Sequence, residues 1–304
     1  MKNQSTDIFK NDEARKRLDE WYQTFLNRAA IETTSHEVPT SYGNNHVLIA
    51  GDSEMPPIVC LHSMLTSSAH LVSELTALAS HFQIIAPDLP GQSVKGLPVR
   101  LSYSDYSHSD WLHEILDGLN LKTAHLLGVS LGGFVARQYA TAHPYNVSSL
   151  TLIVPAGIAS GSLSRGLTKM ALPIILYKFR PTEKNLQRLV DPLITTWDDD
   201  WAAYLGDSFN DFIPNFKIPP LASDEELNQL TMPCLVVGAE KDISFPGQKV
   251  IDRVNSQIPS VETELISDSK HSPPTTPEFR TWLGDRILEF TGDINSTSKP
   301  GTNI

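Results

Sequence analysis

A sharp turn centred on Ser130 constrains the fold of this 304-residue chain more than any other feature. The apolar run 124–129 precedes the serine, and residues 134–143 have the spacing of an amphipathic helix. Gly128 and Gly132 bracket the serine as Gly-x-Ser-x-Gly, because so tight a turn has no room for side chains there. The pattern predicts an exposed hydroxyl between a strand and the positive end of a helix. Alone, it is equally typical of a glycine-rich turn in another α/β protein.

Short apolar runs alternate with amphipathic stretches along most of the chain. The strand-like runs are residues 57–61, 82–87, 124–129, 150–154, 234–238 and 263–266, and the helical stretches are 68–80, 106–119, 134–143 and 278–290. This alternation predicts right-handed crossovers and a parallel sheet with helices on both faces. Near the N-terminus, residues 11–30 predict an amphipathic helix, and runs 34–39 and 46–50 predict an antiparallel hairpin.

The alternation lapses after residue 155 for longer than a usual connection in such a sheet. Prolines divide this stretch into short helices, which predicts a helical cap over the carboxyl ends of the strands. Trp197 and Trp201, one helical turn apart, are expected to form the cap's own core in preference to the alternative, direct contact with a substrate. The predicted organisation is therefore a two-part core and its cap, followed by a disordered polar tail: core 1–155 and 226–291, cap 156–225, tail 292–304.

Composition narrows the classes of partner. The net charge of −11 predicts repulsion from nucleic acid and from anionic membrane, which favours a small-molecule substrate. Cys60 and Cys234 lie in apolar runs and are expected to be reduced core residues, which favours a cytoplasmic location. The acidic run 198–200 is expected to be a solvated face, so neither a metal nor another cofactor is predicted. A monomer and a homodimer both remain open.

A serine hydroxyl becomes a useful nucleophile only when a neighbouring base removes its proton. His271 follows the last predicted strand, and Asp242 follows the preceding one, so both are expected at the ligand-binding edge of the sheet. The chain order serine, aspartate, histidine is the order that accompanies this type of turn. Glu240 is a competing acid but lies closer to the strand end, and Asp268 is too near His271 in the chain to reach round it.

Two backbone N–H groups are needed to hold the negative charge that forms when the serine attacks a carbonyl group. The N–H of Leu131 follows the serine, and the N–H of Met64 lies in the loop after an earlier strand. We expect these two groups to form the oxyanion hole. His62 is expected to shape this loop without a catalytic role.

These motifs together resemble α/β-hydrolase-fold serine hydrolases, and in particular capped, carboxylesterase-like members from Gram-positive bacteria. The similar segments are residues 61–64, 87–93, 128–133, 238–242 and the loop around His271, in the family's order. The resemblance covers about residues 34–290 and implies an eight-stranded, mostly parallel sheet. It also implies a catalytic triad of Ser130, Asp242 and His271 that cleaves a small or medium carboxylic ester through an acyl-enzyme.

The chain departs from the usual family pattern at three positions. Ser63 stands where a glycine usually follows the loop histidine, which could narrow the site, and Lys270 replaces the glycine before the catalytic histidine. Gln92 lies in a turn that is shorter than the common form. Thioester, lactone, amide and carbon–carbon bond hydrolysis on the same triad remain open, as does a non-catalytic ligand-binding protein.

Overall fold

A single eight-stranded sheet organises the chain, in the order β1-β2-β4-β3-β5-β6-β7-β8. The computed structural model describes residues 8–213, 215 and 217–297. β2 runs antiparallel to both β1 and β4, and all other neighbours are parallel. The strands are β1 (Thr33–Thr40), β2 (Gly43–Ala50), β3 (Pro57–Leu61), β4 (Gln83–Pro87), β5 (Ala124–Val129), β6 (Val147–Ile153), β7 (Cys234–Ala239) and β8 (Val261–Ile266). The predicted fold class and the N-terminal hairpin are confirmed.

Helices cover both faces of this sheet. They are α1 (Asp12–Ala29), α2 (Ser68–Glu74), α3 (Ser107–Gly118), α4 (Leu131–Ala142), α5 (Leu163–Gly166), α6 (Leu172–Phe179), α7 (Glu183–Val190), α8 (Asp199–Asp211), α9 (Asp224–Asn228), α10 (Gly247–Gln257) and α11 (Pro277–Thr297). Because side chains alternate along a strand, Val59 packs in the core under α3, α4 and α10, while its neighbour Ile58 packs under α2 and α11. Burial on both faces explains why the central strands are continuous apolar runs.

Two helices differ in length from the sequence prediction. The predicted helix 68–80 divides at Leu75 into α2 and the 3₁₀ turn Thr76–Ser80. α11 continues to Thr297, so the predicted disorder from residue 292 is wrong for its first six residues, and residues 298–304 lie outside the described residues. The burial of Phe290 and Thr291 anchors this end of α11, and each further helical residue then adds a backbone hydrogen bond.

Helices α5–α8 lie between β6 and α9, where the sequence predicts the cap, and α1 is tied to the last of them. The Arg17 guanidinium makes two hydrogen bonds to Asp211, at 2.7 and 2.8 Å, and the Arg28 guanidinium pairs with Asp198. Asp198 also caps the N-terminus of α8 through the backbone N–H of Trp201. The predicted solvated face is therefore wrong at Asp198, because Arg28 and the helix end satisfy its charge. The division into core and cap domains stays a prediction.

The two cap tryptophans have different surroundings. The Trp197 side chain is 48% exposed, so its predicted place in a cap core is wrong; its indole N–H instead reaches Asp199 beside it in the chain. Trp201 packs against the rings of Phe25 and His70, at centroid distances of 4.7 and 5.2 Å. Trp201 thus packs α8 against α1 and α2, which precede the predicted cap in the chain.

Both cysteines are buried and free. Cys60 lies in β3 and Cys234 in β7, and burial raises the pKa of each thiol, so both are neutral core side chains. This confirms the expectation that both cysteines lie in the core. Among the described residues, no helix has the length and apolar character needed to cross a bilayer.

Candidate active site

Ser130 lies at the junction of β5 and α4 with a backbone conformation that non-glycine residues rarely adopt, at φ 54° and ψ −111°. Its backbone is held on both sides, because its N–H donates to Ile153 O at 2.9 Å and its carbonyl accepts from Phe134 N and Ala156 N. These bonds to β6 and α4 offset the local strain. The turn therefore presents the serine side chain at the carboxyl edge of the sheet.

The flanking glycines are required by close backbone contacts. A Cβ on Gly128 would stand 2.4 Å from the carbonyl oxygen of Gly132. A Cβ on Gly132 would stand 2.0 Å from the carbonyl oxygen of Leu61, at the end of β3. The absence of both side chains lets the turn pack directly against the strand that leads into the predicted oxyanion loop.

Three side chains predicted to act together meet at this edge of the sheet. The Ser130 hydroxyl lies 3.0 Å from His271 Nε2, and His271 Nδ1 lies 2.7 Å from Asp242 Oδ2. The other carboxylate oxygen, Oδ1, accepts backbone hydrogen bonds from Ser244 and Phe245 at 2.7 and 3.0 Å. Because Asp242 only accepts when ionised, the imidazole proton lies on Nδ1 and leaves Nε2 to accept the serine proton.

The electrostatic environment favours charge on both members of the histidine–carboxylate pair. Burial disfavours protonation of His271, but the adjacent Asp242 carboxylate outweighs burial and raises the pKa of the imidazole above its usual 6.5. Burial likewise opposes ionisation of Asp242, yet His271 and the two backbone N–H groups lower its pKa. The ring of Phe245 meets the imidazole edge-on at a centroid distance of 5.4 Å. An imidazolium formed in a reaction would be stabilised here.

The competing acids lie outside this group. The Glu240 carboxylate accepts a hydrogen bond from the backbone N–H of Asp268 at 2.8 Å, in the turn after β8. The Asp268 side chain forms an ion pair with Lys241 at 2.5 Å and is 80% exposed. Asp242 is therefore the carboxylate that contacts His271.

The predicted oxyanion donors lie in the helix that follows the serine and in the loop after β3. Leu131 is the first residue of α4, so its N–H has no partner within the helix. Met64 follows β3, and its N–H donates to no group in the described part of the chain. Both N–H groups are thus free to bind an incoming oxygen atom.

His62 supports the loop that carries Met64. Its Nε2 accepts the backbone N–H of Leu89 at 2.9 Å, so its proton lies on Nδ1, which donates to Ser63 O at 2.8 Å. The ring is fully buried, and burial lowers the pKa of His62, which keeps it neutral. As expected from the sequence, this histidine shapes the loop.

Two further supports of this loop were not predicted from the sequence. Asp88, at the end of β4, is fully buried and accepts from Ser68 N, Ser68 Oγ and His46 Nδ1 at 2.9, 2.7 and 2.8 Å. Burial opposes ionisation of Asp88, but His46 and the other partners lower its pKa to about 2. Gln92 Oε1 accepts the N–H of Leu65 at 3.3 Å, which gives this departure from the family pattern a role. In the sequence, the only sign of these hydrogen bonds is that Asp88 and Gln92 are polar.

Lys270 connects the histidine loop to the end of α7. Its ammonium group contacts Asp191 at the end of α7, at 2.6 Å to the carbonyl oxygen and 3.2 Å to the carboxylate. Nearby, the Ser272 N–H donates to Leu193 O at 2.7 Å, and Thr195 N donates to Ser272 O at 3.2 Å. The residues on both sides of His271 are thus bonded to residues 191–195 after α7. The glycine that is usual before the catalytic histidine has no side chain to make the contact of Lys270.

A cavity of about 100 Å³ lies between α2, α8, α11 and the loop after His271. Its wall includes Ser63, Val129 and Ser272, each the chain neighbour of a residue in the candidate site. The side chains of Ser130, His271 and Asp242 are not part of this wall. Most of the wall is apolar, and the buried His70 Nε2 has no hydrogen-bond partner among the described groups. Elsewhere in the described residues, no cluster of three or more histidine, cysteine or acidic side chains could hold a metal ion.

The chain belongs to the alpha/beta hydrolase fold family, whose model matches residues 56–275. The uncharacterized carboxylesterase nap of Bacillus subtilis (strain 168) is 24% identical over 277 residues, 89% of this chain and 91% of that protein. Carboxylesterase YbfK of the same organism is 26% identical over 282 residues, 88% of this chain and 91% of that protein. The protein is thus a hydrolase of the carboxylesterase-like kind.

A solved structure supports the same fold. The crystal structure of naproxen esterase (carboxylesterase NP) from Bacillus subtilis matches with a TM-score of 0.77 at 22% identity. The match covers 90% of this chain and 97% of that chain. The shared architecture therefore extends beyond the matched family segment to most of both chains.

Proposed function

We propose that this enzyme hydrolyses small or medium carboxylic esters through a covalent acyl-enzyme on Ser130. The observation that carries the proposal is the continuous line of hydrogen bonds from Ser130 through His271 to Asp242, at 3.0 and 2.7 Å. A nucleophile, a base and a group that orients the base are the components that acyl transfer to water requires.

In the first half of the reaction, Ser130 Oγ forms a bond to the ester carbonyl carbon while its proton passes to His271 Nε2. The carbonyl oxygen takes the electron pair of its double bond and is stabilised by the N–H groups of Leu131 and Met64. Collapse of this intermediate breaks the bond to the alkoxy oxygen. His271 returns the proton to that oxygen, and the alcohol leaves.

In the second half, a water molecule replaces the alcohol. His271 takes one proton from the water as its oxygen bonds to the acyl carbon, and the same two N–H groups hold the oxyanion. Collapse breaks the bond to Ser130 Oγ, which regains a proton from His271. The carboxylic acid product leaves, and the enzyme returns to its starting state. Asp242 remains ionised throughout and stabilises the imidazolium.

The names of similar proteins bear on the kind of bond that is cleaved. Two of the similar proteins carry the name carboxylesterase, and a solved relative carries the name naproxen esterase. These names favour an ester over the thioester, lactone and amide alternatives.

The direct test compares turnover of water-soluble p-nitrophenyl esters of increasing chain length. Ser130→Ala is expected to lower kcat by about three to four decades or more, and Asp242→Asn by about four. Glu240→Gln is the matched control, since this nearby carboxylate contacts Asp268 and leaves His271 untouched. Wild-type turnover by Ser130→Ala would reject the proposal. A cytoplasmic location and the choice between monomer and homodimer stay predictions.

A further inference from the structure

Helices α5 and α6 and the π-helical turn Leu167–Ala171 between them form one continuous helical segment, residues 163–179, with an unusual surface. Large apolar side chains on this segment are exposed to solvent. Leu163 is 90% exposed, Leu167 65% and Phe179 84%, and half-exposed side chains lie between them: Leu172, Ile175 and Leu176. We call these six side chains the apolar cap face.

The spacing of these residues places them on one side of the segment. Steps of three or four residues keep side chains on one face of an α-helix, and the step from Leu167 to Leu172 is five. The π-helical turn lies at this step, and its wider turn keeps the two leucines aligned. The face therefore extends over the whole segment, about 25 Å at 1.5 Å per residue.

The charge of this region is opposite to that of the whole protein. Residues 163–190 contain six of the 24 basic residues and only one of the 35 acidic residues, a formal charge of +5 against −11 for the chain. Lys169, Lys184 and Arg188 line a groove between this segment and α7. None of these three side chains forms an ion pair with another described residue. The groove has a volume of about 750 Å³ and also includes Leu172 and Trp197 in its wall.

Acidic side chains nearby do not neutralise these cations. Asp191, at the end of the groove, is paired with Lys270 at 3.2 Å. Glu183 is exposed at the start of α7 and is the single acidic residue in this region. The acidic residues of α8 and its N-cap, which pack against α6 and α7, have partners of their own: Asp198 pairs with Arg28, Asp211 pairs with Arg17, and Asp199 accepts the indole N–H of Trp197.

We propose that the apolar cap face and its flanking cations bind the surface of an anionic lipid membrane. An amphipathic helix with large apolar side chains and flanking lysine and arginine is suited to lie in the plane of such an interface. Salt screens charges that are farther away than the Debye length, about 8–10 Å, so the charge near this face governs the contact. The net charge of the whole chain, which predicts repulsion, therefore has less influence. A second copy of the chain fits less well, since a two-fold contact through this face would bring the same cations together.

The test measures cosedimentation of the full chain with vesicles of ether-linked phosphatidylcholine, with and without one third phosphatidylglycerol. Ether linkages prevent hydrolysis by the enzyme. We expect binding to the anionic vesicles at least about tenfold stronger than to the neutral ones, weakening as salt is raised to about 0.5 M.

Two pairs of variants separate this site from general effects. Leu167→Ser with Phe179→Ser removes exposed apolar groups, and Tyr145→Ser, 94% exposed in a distant turn, is its control. Lys184→Glu with Arg188→Glu reverses cap charges, and a matched reversal of two exposed lysines, Lys122→Glu with Lys249→Glu, controls for net charge. Each cap variant is expected to lower anionic binding about tenfold or more, while keeping the wild-type melting temperature and turnover of a soluble ester. The controls are expected to bind as the wild type does.

Equal binding to both kinds of vesicle, or equal losses in cap variants and controls, would overturn the proposal. A wild-type dimer that the Leu167→Ser, Phe179→Ser variant dissociates in light scattering would also overturn it and assign the face to a second copy. The result does not depend on catalysis, because Ser130→Ala is expected to bind vesicles normally. A failure of the esterase proposal would therefore be seen separately.

Discussion

Substitution of Gly132 by alanine tests how closely the serine turn and the oxyanion loop depend on each other. The new Cβ would stand 2.0 Å from Leu61 O, 2.5 Å from Leu61 C and 2.7 Å from His62 O. Because these are backbone atoms, no side chain can rotate to relieve the contact. Either the turn that holds Ser130 or the chain leading to Met64 has to move.

The size of this movement sets the expected effect. Real Cβ atoms are essentially never found within 3.0 Å of such neighbours, so a contact of 2.0 Å requires a displacement of about 1 Å or more. Misplacement of reacting groups by about 1 Å can cost about 100-fold in rate, and loss of one oxyanion donor costs about 10²- to 10³-fold. Overpacking of this kind also costs about 1–3 kcal/mol of stability. We therefore expect a fall of at least about 100-fold in kcat with a melting temperature lower by several degrees.

The assay combines turnover of p-nitrophenyl acetate with thermal unfolding. Gly166→Ala is the matched control, because a Cβ on this helical glycine meets nothing within 4 Å. Its expected result is unchanged turnover and a stability gain of up to about 1 kcal/mol, from the higher helix propensity of alanine. Wild-type turnover and melting temperature for Gly132→Ala would refute the reasoning, since the turn and loop would then move independently.

Three further changes have outcomes set by the same geometry. The pKa of His271 is raised above 6.5, and the neutral imidazole is the base. The acid limb of the kcat/KM–pH profile is therefore expected to have its midpoint above pH 6.5. Because Asp242 raises this pKa, Asp242→Asn is expected to move the midpoint to lower pH. The pKa of Asp88 is about 2 in the folded protein, against 3.8 for a free carboxyl group. Ionised Asp88 therefore contributes about 2 kcal/mol to the free energy of unfolding above pH 4, and this contribution is lost as pH falls through 2. In urea unfolding, Asp88→Asn is expected to lack this dependence on acid pH. Lys270→Ala breaks a partly exposed pair with Asp191 and is expected to change the free energy of unfolding by no more than about 1 kcal/mol, as measured in urea.

The meeting of the three reacting side chains could be anticipated because each follows the carboxyl end of a different parallel strand. Ser130 follows β5, Asp242 follows β7, and His271 lies in the loop after β8. Parallel strands present these ends at one edge of the sheet, so position along the chain is enough to predict proximity. Asp242 could also be preferred to Glu240 as the acid, because Glu240 lies closer to the end of β7.

The supports around these residues depend on contacts that chain order does not reveal. The bond between His46 and Asp88 joins β2 to β4, two antiparallel neighbours that are 42 residues apart in the chain. The attachment of α1 to α8 through Arg17 and Asp211 spans 194 residues. Periodicity shows which side of a helix is apolar, but it does not show what covers that side. For the same reason, the exposure of Trp197 and of the apolar cap face could not be predicted.

The most direct test of the central claim is mass spectrometry of the enzyme after reaction with a fluorophosphonate. We predict one covalent adduct per chain, located on Ser130 by peptide mapping, because the adjacent His271 base activates this hydroxyl. His271→Ala should slow the labelling by orders of magnitude, and Glu240→Gln should not change it. Absence of an adduct, or an adduct on another serine with Ser130 unmodified, would contradict the account.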